Sequence, residues 1–247
     1  MSTPRRVQQH PAFLLHHRPF RDSSLLLDVL TRDYGKLALV ARGARSMKSK
    51  LKGLLRPFLP LRLSWVIRSD LGTLTGAELD GEPLSLTGEA LLSGYYANEL
   101  LLHFLHRHDA QPEIFAAYAN TIAHLVSAAE AAIPLRKFEI ELLRLLGYAL
   151  NVEHEANTHD ALQADSHYEY RVEQGPVAVN RDIGGMVFRG ADLIAIKSLR
   201  FDDSAALRAA NRLLREVIAH HLGGRELKSR KVLVDLRSSR AKMPDPN

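Results

Sequence analysis

The hydrophobic pattern of this chain changes its period near Pro83, and that change limits the fold more than any other feature. Between residues 12 and 79, apolar and polar residues alternate in short runs, which is typical of β-strands with one buried face. After Pro83, apolar residues recur every three or four positions over longer stretches, which is typical of amphipathic helices. The sequence therefore predicts an α+β protein with a strand-rich N-terminal part and a mainly α-helical remainder.

Five short alternating runs in the N-terminal part predict five strands and a small barrel. Turn residues separate the runs, and Gly35 and Gly72 are each expected to supply a positive φ immediately before a strand. The residues between 46 and 55 are compatible with either a short helical turn or an irregular loop. The predicted strands are Ala12–His16, Ser24–Thr31, Lys36–Arg42, Leu61–Ile67 and Thr73–Leu79.

The helical remainder is interrupted by a polar segment, residues 151–183. A hairpin of Tyr168–Val172 and Gly175–Val179 is expected within that segment. Amphipathic stripes predict helices at Leu86–His108, Pro112–Ala129, Pro134–Leu146, Arg189–Lys197 and Ser204–Leu222, followed by a basic helix that starts near Arg225 and frays by Ser238.

The predicted organisation is a barrel domain at residues 1–82, a helical domain at 83–240 and a disordered tail at 241–247. Charge is segregated along the chain. Residues 1–62 hold 13 Lys and Arg against 3 Asp and Glu, residues 63–220 hold 13 against 22, and residues 221–247 hold 7 against 3. Both ends are basic and the middle is acidic, so the pI near 9.5 reflects two local basic regions.

The densest basic run lies between residues 42 and 56 and contains no acidic residue. Like charges repel one another, so a folded domain tolerates such a run best when a partner supplies the opposite charge. Phosphate backbone is the commonest such partner. The alternative is a mobile, solvated loop with no ligand. The six cations are Arg42, Arg45, Lys48, Lys50, Lys52 and Arg56.

This basic run, coupled to a five-stranded barrel, favours nucleic-acid binding. Barrels of the oligonucleotide-binding (OB) type bind single strands in a basic groove that also offers aromatic stacking platforms. Electrostatic attraction is expected to dominate, with one aromatic side chain stacking on a base. The candidate platforms, each of a residue type that is more often core, are Phe13, Phe20, Tyr34, Phe58 and Trp65.

The residue types that carry covalent or metal chemistry are missing or scattered. The chain has no cysteine, which excludes disulfides, thiolate zinc sites and cysteine nucleophiles. It has no phosphate loop or nucleophile elbow, and no clustered carboxylates that would hold the metal ions of a nuclease. Two histidine groups, at residues 103–108 and 154–167, are interpreted as surface or core-edge histidines. We therefore expect neither enzymatic activity nor a metal or cofactor.

The chain also lacks the signals of export or membrane insertion. No uncharged apolar window approaches the roughly 18 residues that a spanning helix needs. Its N-terminus has Arg5 and Arg6 but no following apolar run of the kind found in secretory signals. A cytoplasmic protein without a membrane partner is expected.

Several blocks resemble those of one known family and occur in the same order. In the barrel part they are Ser24–Thr31, Tyr34–Lys36, Leu39–Ser46, Leu51–Gly53 and Arg56–Phe58. In the helical part they are Gly94–Leu100, Leu135–Glu139, Leu145–Tyr148, Leu222–Gly224 and Leu227–Arg230. Over nearly the whole chain, this set resembles bacterial RecO, a family of DNA repair and recombination mediators.

The resemblance implies an OB-fold barrel and a helical domain that act on DNA without chemical catalysis. Proteins of this family bind single- and double-stranded DNA, anneal complementary strands and, with RecR, help RecA to replace single-stranded DNA-binding protein. A nucleoid-associated location in the cytoplasm is implied as well. Many members carry a four-cysteine zinc module after the Leu-Gly-Tyr block, which this chain lacks, so zinc is not carried over.

Annealing requires a protein to hold two polyanions together without reading their bases. The run at residues 42–56 is expected to neutralise phosphates of one strand. A second basic patch for the other strand is predicted at Lys228, Arg230 and Lys231. The competing hypothesis is an interaction adaptor whose basic barrel docks an acidic protein partner.

The acidic middle of the chain requires a different role, because a negative surface repels DNA. A helical domain with a few cations around an apolar cleft can capture a short acidic peptide. The resemblance suggests the acidic C-terminal tail of single-stranded DNA-binding protein. The candidate cations are Arg136, Lys137, Arg208 and Arg212. Alternatively, these cations pair with Glu139, Glu141 or Glu216 on helix faces.

Overall fold

The computed structural model describes residues 5–127, 131–180 and 184–232. They form two compact units. The first contains the described residues up to 127 together with those from 227 onward, and the second contains those between 131 and 226. The predicted tail at 241–247 and the end of the last predicted helix lie outside the described residues.

Five strands of the first unit form the predicted barrel. Their pairing order is β1-β2-β3-β5-β4, and β1 also pairs with β4, so the ring closes. All pairs are antiparallel except β3 with β5, which is the strand arrangement of an OB fold. The strands are β1 (Arg5–Phe20), β2 (Ser24–Thr31), β3 (Gly35–Ala41), β4 (Pro60–Ile67) and β5 (Leu71–Leu79).

The first strand is far longer than the predicted Ala12–His16. Its N-terminal half pairs with β4 and its C-terminal half pairs with β2, so one strand closes the barrel. Its register shifts between Val7 and His10 and again between Leu14 and His16. Such bulges bend a strand and interrupt its alternation, which explains why the sequence pattern showed only the central part of β1.

The two glycines expected to supply turns have different roles. Gly35 has a φ of 67°, as predicted, and a Cβ there would lie 2.0 Å from the carbonyl oxygen of Asp109. The prediction for Gly72 is wrong, because this residue lies inside β5 and is absent from the positive-φ positions. A Cβ at Gly72 would lie 2.6 Å from Leu39 Cδ2, so close packing against the neighbouring strand requires glycine.

Two helices complete the first unit around a buried polar bond. They are α1 (Gly88–Phe104) and α2 (Pro112–Ser127). Leu15 is the bulged residue of β1, and its carbonyl accepts a hydrogen bond of 2.8 Å from Asn98 Nδ2 on α1. The Tyr118 hydroxyl on α2 donates to Asn98 Oδ1 at 2.6 Å. One side chain thus joins a strand and two helices.

The second unit contains three helices and a small sheet. Strand β6 pairs with β7, as the hairpin prediction required, and on its other side with β8, a three-residue strand that the sequence pattern did not reveal. The elements are α3 (Ala132–Leu145), β6 (His167–Arg171), β7 (Gly175–Val179), β8 (Val187–Arg189), α4 (Gly190–Lys197) and α5 (Ser204–His221).

The irregular start of the polar segment is organised by one buried carboxylate. Glu155 is 5% exposed and accepts hydrogen bonds from the backbone N–H groups of Asn157, Thr158 and Ala178. Bonds to a charged acceptor are stronger than neutral ones. These hydrogen bonds cross-link the segment, as disulfides or zinc ions do in other small loops.

We predict that Asn98→Ala lowers the free energy of unfolding by about 2–4 kcal/mol, because it removes the donor to the Leu15 carbonyl and the acceptor of the Tyr118 hydroxyl in the core. Tyr118→Phe removes one of the two bonds and should cost about half as much. Chemical denaturation measures both values. Asn120→Ala, on the exposed face of α2, is the matched control and should change stability by less than about 0.5 kcal/mol. Equal effects of Asn98→Ala and Asn120→Ala would contradict the prediction.

Candidate nucleic-acid interface

The basic run forms the connection between β3 and β4 and presents all its charges to solvent. Residues 43–56 follow a succession of short turns. Ala44 and Leu55 are buried in the barrel core, and Leu51 packs against it, so three apolar side chains anchor the connection. All six predicted cations, at positions 42, 45, 48, 50, 52 and 56, are exposed. We call residues 42–56 the basic loop.

Two of the six cations donate hydrogen bonds to backbone carbonyls, and none of the six forms an ion pair in the described part of the chain. Arg45 donates to the carbonyls of Arg21 and Asp22, at 3.4 and 3.3 Å, and Arg56 donates to its own loop at Gly53. Within residues 5–127, 131–180 and 184–232, no carboxylate forms an ion pair with any of the six. The loop therefore keeps its positive charge available to a polyanion.

A groove of about 550 Å³ lies beside the basic loop on the barrel. The β1–β2 turn, the end of β3 and the start of β5 form its walls. OB folds bind oligonucleotides on the face of strands 2 and 3, flanked by the β1–β2 and β4–β5 loops. The groove includes the β1–β2 turn and, at Leu71, lies next to the β4–β5 loop. The groove is lined by Phe20, Arg21, Ser23, Ser24, Val40, Arg42, Gly43, Leu71, Gly72 and Thr73.

The five candidate stacking platforms differ in how accessible their rings are. Phe13, Phe58 and Trp65 are buried in the core. Tyr34 is half-buried between Trp65 and the guanidinium of Arg5, which lies 4.6 Å from its ring centre. Phe20 is half-buried and lines the groove, so among the five it is the platform that a base in the groove can reach.

The second predicted basic patch lies in the first unit, where it is held by a carboxylate of α1. Glu99 accepts hydrogen bonds from the backbone N–H groups of Lys228 and Ser229 and from the Ser229 hydroxyl. A short helical stretch begins there, so the carboxylate caps it. Lys228 and Lys231 are exposed, and Arg230 is half-buried.

The two basic segments contact adjacent turns of helix α1. The ring of Tyr95 contacts Phe58, which follows the basic loop, with 5.1 Å between ring centres. Glu99, four residues later, holds Lys228. Residues four apart on a helix lie on the same face, about 6 Å apart along its axis. The end of the basic loop and the start of the second patch therefore meet the same face of α1.

The surroundings of Glu99 favour its charged form. Burial alone would raise the pKa of this carboxyl, but the hydrogen bonds from Ser229 and Lys228, with the nearby His103, lower it below its ordinary value. A carboxyl whose pKa falls on folding stabilises the folded state above its unfolded pKa. That stabilisation is lost as the pH falls through the folded pKa.

The four candidate peptide-binding cations have unequal surroundings in the second unit. Arg136 is only 10% exposed in its side chain, where it pairs with the fully buried Glu139 at 2.9 Å and donates to Asn211. This is the pairing alternative considered for Arg136. Arg212 donates to the Val187 carbonyl and lies over the ring of Phe188. Lys137 and Arg208 are exposed.

Two further expectations concern metals and membranes. In the described part of the chain, neither histidine group considered from the sequence forms a cluster with metal-ligand spacing, and a different group does, at the end of α5. The described helices are all too short or too polar to cross a bilayer.

Comparison with known proteins identifies relatives along the chain. Residues 5–81 match the family model described as Recombination protein O N terminal, and residues 85–231 match Recombination protein O C terminal. The chain is 44% identical over 233 residues to a DNA repair protein RecO of Nitrosococcus oceani, covering 94% of this chain and 95% of the relative. It is 40% identical over 240 residues to that of Dechloromonas aromatica, covering 96% and 99%.

We predict that Glu99→Gln lowers the free energy of unfolding at pH 7 by about 1–2 kcal/mol, since the backbone donors lose a charged acceptor. The difference from the wild type should shrink as the pH falls through the lowered pKa of Glu99. Denaturation between pH 7 and pH 3 measures this difference. Glu113→Gln, on the exposed first turn of α2, is the control and should show no such pH-dependent gap. A gap that stays constant down to pH 3 would contradict the assigned charge.

Proposed function

The chain belongs to the RecO family of DNA repair and recombination proteins, and we propose that it acts by binding single- and double-stranded DNA and annealing complementary strands. The observation that supports this proposal most strongly is the placement of the basic loop. Its cations are exposed, and one of them, Arg42, lines the groove at the face that OB folds use for oligonucleotides.

Binding through this surface is sequence-independent. The cations of the basic loop neutralise phosphates and release counterions, so affinity falls steeply with salt. Phe20 supplies a stacking surface that accepts any base, because every base has a π-face. Such contacts hold a strand without selecting its sequence, as annealing requires.

A second strand is held by the C-terminal basic patch. Because Phe58 and Lys228 both contact α1 on adjacent turns, cations of both segments lie in one unit. Two polyanions that approach these segments are brought together while their mutual repulsion is screened. The proposed activity consists of binding and release, without a covalent step, metal or cofactor.

The second unit engages protein partners in this proposal. Lys137 and Arg208 attract the acidic C-terminal tail of single-stranded DNA-binding protein, near the point where Arg136 joins α3 to α5. With RecR as a further partner, the protein helps RecA to load onto DNA that is covered by single-stranded DNA-binding protein. The family membership motivates these partners, and the exposed cations give the peptide a place to bind.

We predict that replacing Arg42, Lys48, Lys50 and Lys52 by Ala abolishes acceleration of annealing between two complementary labelled oligonucleotides. Arg45 is left intact because it ties the loop to the β1–β2 turn. The slope of log affinity against log salt for single strands should fall by up to about 2.8, from about 0.7 per phosphate contact. Fluorescence annealing and anisotropy measure the two quantities.

The matched control removes four cations from the second unit, so its net charge equals that of the basic-loop variant. Arg144, Arg171, Lys197 and Arg215 are each paired with a carboxylate at the surface, so their replacement by Ala should change neither quantity. If both quadruple variants lose annealing equally, net charge rather than the basic loop is responsible. A wild type that does not accelerate annealing, and whose barrel binds an acidic protein in competition with DNA, would favour the adaptor hypothesis.

We predict that Lys137→Ala combined with Arg208→Ala weakens binding of a fluorescent peptide with the sequence of the acidic tail by about tenfold, because two charges are lost. Arg136 is avoided, since removing it would take away the cation that pairs with the buried carboxylate of Glu139 and destabilise the unit. Lys197→Ala with Arg200→Ala, which removes two other exposed cations of the same unit, is the control. Equal peptide affinity in both double variants would place the peptide elsewhere.

A further inference from the structure

Three side chains with metal-ligating atoms meet at the end of α5 in the second unit. They are Glu173, in the turn between β6 and β7, and His220 and His221, the last two residues of the helix. One ligand atom from each lies within 4.8 Å of those of the other two. This cluster is separate from the basic loop, the groove and the candidate peptide cations.

The spacing of one pair in the cluster matches that of two ligands on a tetrahedral metal ion. Zinc binds histidine nitrogen and carboxylate oxygen at about 2.0–2.1 Å, which places two ligands of a tetrahedron about 3.3–3.4 Å apart. His220 Nε2 and Glu173 Oε1 are 3.3 Å apart. A ligand nitrogen of His221 lies within 4.8 Å of both, which gives a set of two histidines and one carboxylate.

The surroundings also favour a cation and give solvent access to the cluster at His220. Both histidines lie in the last turn of α5, where the helix dipole contributes partial negative charge. The ring of Tyr148 stacks on His221, with 4.1 Å between ring centres and 18° between planes, which fixes the orientation of that ligand. An open groove of about 510 Å³, which includes His220 in its lining, lets water or a further ligand approach.

We infer that Glu173, His220 and His221 form a binding site for a divalent transition-metal ion, with zinc as the best match. Two imidazoles and a carboxylate, with a fourth position open to water, are a ligand set that zinc accepts. The ion links the β6–β7 hairpin to the end of α5. The site does not depend on the DNA-binding proposal, because none of its residues takes part in that surface.

The test is a titration of the full-length, tag-free protein with Zn²⁺, followed by isothermal titration calorimetry and by thermal melting. We expect one Zn²⁺ per chain and a higher melting temperature with zinc, since an ion that binds only the folded state stabilises it. His220→Ala and Glu173→Gln should each weaken zinc binding about tenfold or more. Both side chains are exposed, at 51% and 69%, so these variants should fold.

The control is His106→Ala, which removes an exposed histidine of the first unit. It should leave the stoichiometry, the affinity and the zinc-dependent rise in melting temperature unchanged. Co²⁺ provides a second readout, because a tetrahedral complex gives an intense visible absorption that His220→Ala should remove. The proposal is overturned if the wild type takes up no zinc, or if His106→Ala weakens zinc binding as much as His220→Ala does. In either case, His220 and Glu173 form only a surface ion pair.

Discussion

The architecture of the first unit depends on how one unpaired carbonyl is satisfied. The bulge in β1 takes the Leu15 carbonyl out of the strand ladder, and a buried carbonyl without a donor is costly. Asn98 supplies the donor from α1 and in turn accepts the Tyr118 hydroxyl from α2. The irregularity that lets β1 bend around the barrel is therefore also what fixes two helices to it.

Helix α1 uses successive residues for separate tasks. A Cβ at Gly94 would lie 2.8 Å from Phe58, so the absence of a side chain there lets the end of the basic loop pack closely. Tyr95 covers the same ring, Asn98 satisfies the bulge and Glu99 caps the C-terminal patch. The block Gly94–Leu100, which in the sequence supported only a resemblance, thus has a physical reason at four of its seven positions. Both basic segments pack against this helix.

Periodicity and charge were sufficient to predict the fold class, the five barrel strands and the exposure of the basic loop. They could not reveal the full length of β1, because its bulges interrupt the alternation, or β8, which is only three residues long. Tertiary contacts decided the remaining features. Burial of Phe13 and Phe58 depends on the helices packed over the barrel, and the contact of Glu173 with His220 joins residues 47 positions apart. No local pattern encodes such pairs.

The division of the chain into units has a consequence for biosynthesis. Residues 227–232 belong to the same unit as the barrel, although translation delivers them after the whole of the second unit. The carboxylate of Glu99 therefore gains its backbone donors, Lys228 and Ser229, only after the second unit has been synthesised. The other unit is continuous in sequence and has no such dependence. The first unit is thus begun before the second unit is synthesised and completed only after it.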